Sequence, residues 1–340
     1  MSEIGHKMLG IHFAPLKVPL KRRIEMLAVV QWVICYLFVG AACTILSIWL
    51  FFTSLWPAMI LYTSWYIYDR RTPCEGGRRS QLVRHSALWK HFANYFPLKL
   101  VKEVDLDPNQ NYILGCHPHG IFSTSHFANF ATEATGFSAL FPNIVPHLMV
   151  LDGGFRFPLF REYFMMAGFC SSKKSSLEYL MTKETGGNAA CVVVGGAIES
   201  LEAKSGNFRL ILANKKGFIK SALRTGASLV PVYSFGENDL YSQVTNDKMV
   251  RLQKWLTKKM GFTVPLAYGR GIFNYSFGIL PQRKPVDSIV GVPIPVTKKE
   301  NPSQEDIDNL HALYMQGLHD LFERHKHTYS IPPTVHLELI

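Results

Sequence analysis

The sequence lacks the common signatures of a nucleic-acid binder: no zinc-finger spacing, no RNP motif and no basic recognition helix. Its net charge of +11 therefore points to an anionic membrane surface or a phosphorylated ligand, not to DNA or RNA. Six cysteines are present (Cys35, Cys43, Cys74, Cys116, Cys170 and Cys191), with no CxxC pair and no framework spacing. That excludes a disulfide scaffold or a paired-cysteine redox motif and predicts reduced thiols. No internal repeat or low-complexity segment occurs, which excludes repeat architectures. No serine or cysteine stands in a nucleophile-elbow pattern, so a covalent intermediate is not required. No cleavable signal peptide is visible, because Lys17 to Arg23 separate the start from the first hydrophobic stretch.

The longest absence is of charge. From Met26 to Tyr68, about 43 residues, there is no charged side chain, roughly twice the length that one spanning helix needs. Trp32, Trp49, Trp56 and Trp65 fall where interfacial aromatics often sit, and Pro57 offers a break. Lys17, Lys21, Arg22 and Arg23 flank one end and Arg70, Arg71, Arg78 and Arg79 the other. Basic residues on both sides predict both ends in the cytosol, hence a two-helix hairpin or a re-entrant wedge. A buried helical pair in a soluble protein is the competing reading, disfavoured because no polar stripe interrupts the run.

Within a chain of 340 residues, enough for one large domain or two ordinary ones, one stretch organises the rest. Tyr112 to Cys116 is an apolar run expected as a buried strand. It stops at His117-Pro118-His119-Gly120, and Ile121 to Phe130 reads as a helix. Strand, tight turn and helix place the turn at the carboxyl edge of a sheet, where α/β enzymes hold ligands. Pro118 keeps His117 extended and Gly120 permits a sharp turn. A helix N-terminus beside His119 disfavours an imidazolium, and a neutral imidazole serves as a general base. Two alternatives stay open here: His117 and His119 as metal ligands, with third ligands scarce beyond His126 and Glu133, or as hydrogen-bonding residues only.

Ala189 to Val194 is a second continuous apolar strand. It runs into Gly195-Gly196-Ala197-Ile198-Glu199, which presents Glu199 at the same sheet edge. The expectation is that the carboxylate accepts the far N–H of the His119 imidazole and orients it; the bland reading is a solvated loop acid. Lys216, Lys220 and Arg224 recur every four residues on a helix expected over 215–224, a basic stripe suited to a phosphate-bearing ligand or simply a solvated face. Further strands are expected over 146–151, 208–212 and 229–235, with an edge strand over 289–295. Helices are expected over 82–95, 159–166, 175–183, 241–262 (amphipathic, with Leu252, Trp255, Leu256 and Met260) and 306–325. Residues 101–111 read as polar and turn-rich.

These residues resemble the diacylglycerol O-acyltransferase 2 family, which includes the monoacylglycerol and wax-alcohol acyltransferases. The resemblance covers nearly the whole chain: the apolar hairpin, Tyr95-Phe96-Pro97, His117-Pro118-His119-Gly120, Arg161-Glu162-Tyr163, Gly195 to Ser200, Lys216-Gly217-Phe218 and Val230 to Asn238. Lys215 departs from it, since many members carry arginine there, which keeps the charge but not the planar fork. The short amino terminus is similar to the monoacylglycerol enzymes; Glu199-Ser200 and Gln304 to Asp308 are similar to the diacylglycerol enzymes.

The resemblance implies an endoplasmic-reticulum membrane enzyme, also associated with lipid droplets, that transfers acyl groups from acyl-CoA to an acylglycerol hydroxyl without a metal or organic cofactor. The expected fold is α/β, a mixed sheet with flanking helices like that of glycerolipid acyltransferases, attached to an N-terminal two-helix membrane hairpin. The expected divisions are 1–23 (cytosolic), 24–69 (hairpin) and 70–340 (acyltransferase domain). His119 is the expected base, with His117 its competitor and Glu199 its orienting carboxylate. Pro118, Gly120, Gly195 and Gly196 support the motif, helix N–H groups hold the oxyanion, and Lys216, Lys220 and Arg224 bind acyl-CoA. The acceptor is diacylglycerol or monoacylglycerol held by membrane lipid; the partner set includes no nucleic acid and admits a homo-oligomer. Readings from other classes are a membrane metallohydrolase and a non-catalytic lipid-droplet scaffold.

Overall fold

The two doubly apolar runs become the centre of one sheet. The computed structural model describes residues 7–8, 10–15, 17–243, 251, 253, 255 and 266–340. Seven strands, β1 (Leu98–Lys102), β2 (Tyr112–His117), β3 (Val145–Val150), β4 (Phe169–Ser171), β5 (Asn188–Val193), β6 (Ser228–Phe235) and β7 (Val286–Val290), form a mixed sheet. Its order is β1-β7-β6-β2-β5-β3-β4. β2 to β6 are all parallel; β7 runs antiparallel to β6, and β1 parallel to β7. Every residue of β2 and of β6 is buried, as expected for strands covered on both faces.

Each face has its own core. On one, helices α6 (Gly217–Thr225) and α7 (Gln304–His325) lay Phe218, Tyr314, Leu318 and Phe322 on the sheet. Helix α7 starts with a full capping box between Ser303 and Asp306, which fixes its onset. On the other, α3 (Ala87–Tyr95) brings Trp89 and Phe92 against Phe127 and Trp32. The ring centroids of Trp32 and Phe92 lie 5.2 Å apart, edge to face, a geometry that adds about 0.5–1.5 kcal/mol beyond burial.

Trp32 belongs to the apolar segment, so that segment is not wholly outside the domain. Helix α1 runs unbroken from Leu20 to Leu50, with a π turn at Cys35–Val39. Its first half buries Ala28, Val29, Trp32 and Val33, and Glu25 is buried in an ion pair with Arg283. Its second half exposes Ile45, Ile48 and Trp49. Helix α2 (Trp56–Tyr68) follows, with Pro57 in its first turn, where proline starts a helix and does not break one. Among the described residues only α1, 31 residues with a mean hydropathy of 2.3 over its most apolar window, is long and apolar enough to cross a membrane. The 13 residues of α2 reach about 20 Å at 1.5 Å per residue, short of the roughly 30 Å hydrocarbon core.

Two strand expectations need correction. The strand expected at the sheet edge over 289–295 spans Val286–Val290 and lies inside the sheet. The edge is β1, in part inside the stretch read as turn-rich. Its Leu-Lys-Leu-Val-Lys pattern buries only Leu100 fully, and lysines on a short outer strand discourage pairing with another chain. The amphipathic helix expected over 241–262 lies largely outside the described residues.

Candidate active site

The turn that follows β2 sits at the carboxyl edge of the sheet. The His117–Pro118 peptide is cis, and Gly120 turns the chain with φ +61°. The helix expected from Ile121 begins three residues later: Thr124–His126 form a single turn that passes into a π turn at Phe127–Ala131.

Two buried carboxylates grip this turn. Glu199 Oε1 accepts from the backbone N–H of His119 at 2.8 Å, and its Oε2 accepts from the N–H of Ile211 at 2.8 Å. The expected bond from Glu199 to the imidazole is therefore replaced by a bond to the backbone, because both oxygens are already occupied by amides. Gly195 makes this possible: a Cβ there would stand 2.1 Å from Glu199 Oε2. Gly196 completes the turn with φ +64°. Burial pushes the Glu199 carboxyl up to about 7, against the lowering effect of its two N–H donors and of Lys215 nearby.

Glu237, the second carboxylate, follows β6. Its oxygens accept from the N–H groups of Thr124 and Ser125 at 2.7 and 3.0 Å. A Cβ on Gly120 would meet it at 2.7 Å. These amides are the helix N–H groups expected to face an oxyanion; Glu237 already satisfies them, and it neutralises the helix end that was expected to lower the pKa of His119. Burial takes over that role and holds the His119 imidazole below its ordinary value.

The ring contacts separate the three histidines. His119 Nδ1 is 3.0 Å from the carbonyl of Gly120. A carbonyl can only accept, so Nδ1 carries the proton and Nε2 keeps its lone pair. His119 is half-buried, His117 fully buried. His117 Nε2 lies 3.0 Å from the hydroxyl of Tyr314, which donates to the carbonyl of Gly115 at 3.2 Å. His126 Nε2 is 2.9 Å from the carbonyl of Pro118. Burial holds both below the normal range, His117 to about 3 and His126 to about 4. At neutral pH all three rings are uncharged, and only His119 is open to solvent.

The basic stripe is partly committed elsewhere. Lys216 pairs with Asp308 on α7 at 2.6 Å, and Arg224 with Glu178 at 3.5 Å. Lys220 is exposed and holds no ion pair among the described residues. A cleft of about 690 Å³ opens at the same sheet edge, lined by Pro118, Tyr233, Phe235, Asp287 and Tyr329 among others. Sequence reasoning missed Glu237, Tyr314 and this cleft; a buried-looking acid directly after a continuous apolar strand was the available signal for Glu237.

A neutral, half-open imidazole on a turn fixed by two acids, at the carboxyl edge of an α/β sheet, can take a proton from a hydroxyl brought to it. The comparisons specify which kind. The family model described as "Diacylglycerol acyltransferase" matches residues 48–340, and the chain belongs to the diacylglycerol acyltransferase family. It is 46% identical to 2-acylglycerol O-acyltransferase 1 of Bos taurus over 327 residues, 95% of this chain and 98% of that protein. It is 47% identical to diacylglycerol O-acyltransferase 2B of Umbelopsis ramanniana over 329 residues, 94% and 93% of the two chains. It is 44% identical to diacylglycerol O-acyltransferase 2 of Homo sapiens over 324 residues, 94% and 83% of the two chains. The 1-acyl-sn-glycerophosphate acyltransferase PlsC of Thermotoga maritima superposes with a TM-score of 0.41 at 11% identity, over 88% of this chain and 97% of that one.

Proposed function

We propose that this chain is an acyl-CoA-dependent O-acyltransferase that converts diacylglycerol to triacylglycerol, with His119 as general base. The observation that carries the chemistry is the free lone pair on His119 Nε2, imposed by the bond from Nδ1 to the Gly120 carbonyl. Nε2 takes the proton of the acceptor hydroxyl as its oxygen attacks the thioester carbonyl. The new C–O ester bond forms, the C–S bond breaks, and the CoA thiolate leaves with the proton that the imidazolium returns. The reaction needs no cofactor beyond the two substrates. The cleft beside Pro118 has the volume of an ordinary ligand pocket, which supports seating a substrate against the turn. Lys220, with Lys216 and Arg224 behind it, is proposed to meet the CoA phosphates.

Relatives named as 2-acylglycerol O-acyltransferases match over as much of the chain as the diacylglycerol enzymes, so monoacylglycerol is the second acceptor reading. We place the enzyme in the endoplasmic-reticulum membrane and on lipid-droplet surfaces. The exposed apolar half of α1 and α2 lies in the bilayer, and the basic flanks of the apolar segment keep both termini in the cytosol. Purified protein assayed with labelled acyl-CoA against mono- and diacylglycerol and a fatty alcohol tests the reading. Triacylglycerol as main product supports it; no transfer to any of the three overturns it.

A further inference from the structure

Away from the histidine turn, α7 and the C-terminal segment bring three potential ligands together. His319 and Glu323 are four residues apart on α7 and share a face; His336 arrives from the other side. His336 Nδ1 stands 3.0 Å and His319 Nε2 3.9 Å from Glu323 Oε1. The three potential ligand atoms lie within 4.8 Å of one another. A tetrahedral zinc ion with bonds of about 2.1 Å holds its ligand atoms about 3.4 Å apart, so modest side-chain adjustment closes the set.

The surroundings prepare it. Lys326, buried, donates to Glu323 Oε2 and to the carbonyls of Pro333 and Val335 at 2.9 and 2.8 Å. One carboxylate oxygen is thereby spoken for and the other is left facing the two imidazoles. The same ammonium fixes the backbone next to His336, so the third ligand is presented by anchored chain. The two rings lie nearly parallel, 14° between planes. Asp320 Oδ1 stands 3.8 Å from His319 Nδ1, the ring nitrogen that does not face Glu323.

We propose that His319, Glu323 and His336 bind a divalent ion of the zinc class. Two imidazoles and one carboxylate suit Zn²⁺ and its neighbours, whereas Ca²⁺ and Mg²⁺ take oxygen ligands. The ion is structural in effect. It joins the two ends of the segment 323–336, and Thr328, Tyr329, Ser330 and Ile331 within that segment line the cleft. Helix α7 also carries Tyr314, which bonds His117. The proposal stands independently of the acceptor and of the role of His119.

The test is calorimetric titration of the full-length protein, free of any polyhistidine tag, with Zn²⁺ and separately with Mg²⁺. One equivalent of Zn²⁺ should bind at pH 7.5, with no matching Mg²⁺ isotherm. Losing an outer-shell partner alone costs about 10–100-fold in metal affinity, so His336→Gln, an exposed change, should cost at least a hundredfold, and His319→Gln the same. Metal-free acyl transfer should stay at the wild-type level in His336→Gln. No stoichiometric Zn²⁺ binding, or wild-type affinity in His336→Gln, overturns the site.

Discussion

Glu199 holds His119 by its backbone and not by its ring. Its Oε1 takes the His119 N–H at 2.8 Å while Oε2 takes that of Ile211, so the carboxylate must be ionised to accept both bonds. Its pKa is raised to about 7. On acidification through that value a proton lands on one oxygen and one of the two amide bonds is lost. Turnover should therefore fall on the acid side with an apparent pKa near 7, above the depressed titration of His119 itself. Glu199→Gln should lower turnover at every pH and abolish this limb, since an amide offers one acceptor oxygen at any pH. The linkage to stability has the opposite sign. A carboxyl whose folded pKa exceeds its unfolded one binds the proton better in the folded state, so stability declines as pH rises from about 4.5 to about 7. A pH–rate profile whose acid limb persists in Glu199→Gln removes this assignment.

His119→Ala should reduce turnover by about a hundredfold or more, the scale of a lost general base, with folding intact, because the turn is held by Glu199 and Glu237. His117→Ala should act differently. It empties a buried position and removes the ring N–H that the Tyr314 oxygen accepts, while the Tyr314 hydroxyl still donates to Gly115; an unmet buried acceptor costs about 1–3 kcal/mol. The expected signature is less folded protein with near-normal turnover per folded molecule. Turnover and heat inactivation measured on both variants decide it; a thermally normal but inactive His117→Ala reverses the two roles.

Asp69, just past α2, accepts from Arg161 Nη2 at 2.8 Å and also meets Arg78. Arg161 is fully buried and has Glu162 at 3.0 Å as its other charged partner. Removing one member of a buried pair costs about 3–5 kcal/mol; Asp69→Asn should fall at the lower end because Glu162 and the Asp69 carbonyl remain. Limited proteolysis should then cut faster in the segment 70–80 that joins α2 to the domain. An unchanged cleavage rate means the network does not anchor α2.

Charge reversal along the basic stripe should be unequal. Lys220→Glu should raise the apparent Michaelis constant for acyl-CoA several-fold, more at low than at high ionic strength. Lys216→Glu should instead disturb its pairing with Asp308, and Asp308→Asn, which frees Lys216, should leave the donor constant unchanged or lower it. Equal donor constants for wild type and Lys220→Glu make the stripe a solvated face.

What the chain discloses in advance is what short-range pattern encodes. β2, β5 and β6 are mostly apolar because both faces are covered, and the histidine turn is visible because it ends one of these runs. β1 escaped notice because its lysines break the run. The delayed helix start follows from two residues in the left-handed region, Gly120 and Ser123, the second of which is not a glycine. Glu237 and Tyr314 reach the turn across separations of 113 and 197 residues, which no periodicity reports. Glu199 was found as a residue but not in its contact, since the Gly195-Gly196 pair says that an approach is close and not which atom is approached.

The unbroken course of α1, with Glu25 and Trp32 seated in the domain and Ile45, Ile48 and Trp49 facing outward, makes this helix a mast and not a rope. A flexible tether would let the domain tumble over the membrane; a continuous helix sets both its height and its heading. One residue inserted near Gly40 would swing the histidine edge by about 100° about the mast, whereas a full turn would raise it by about 5.4 Å with its heading nearly kept. With α1 in the bilayer as proposed, helical register and not a flexible linker would set how the histidine edge faces the lipid.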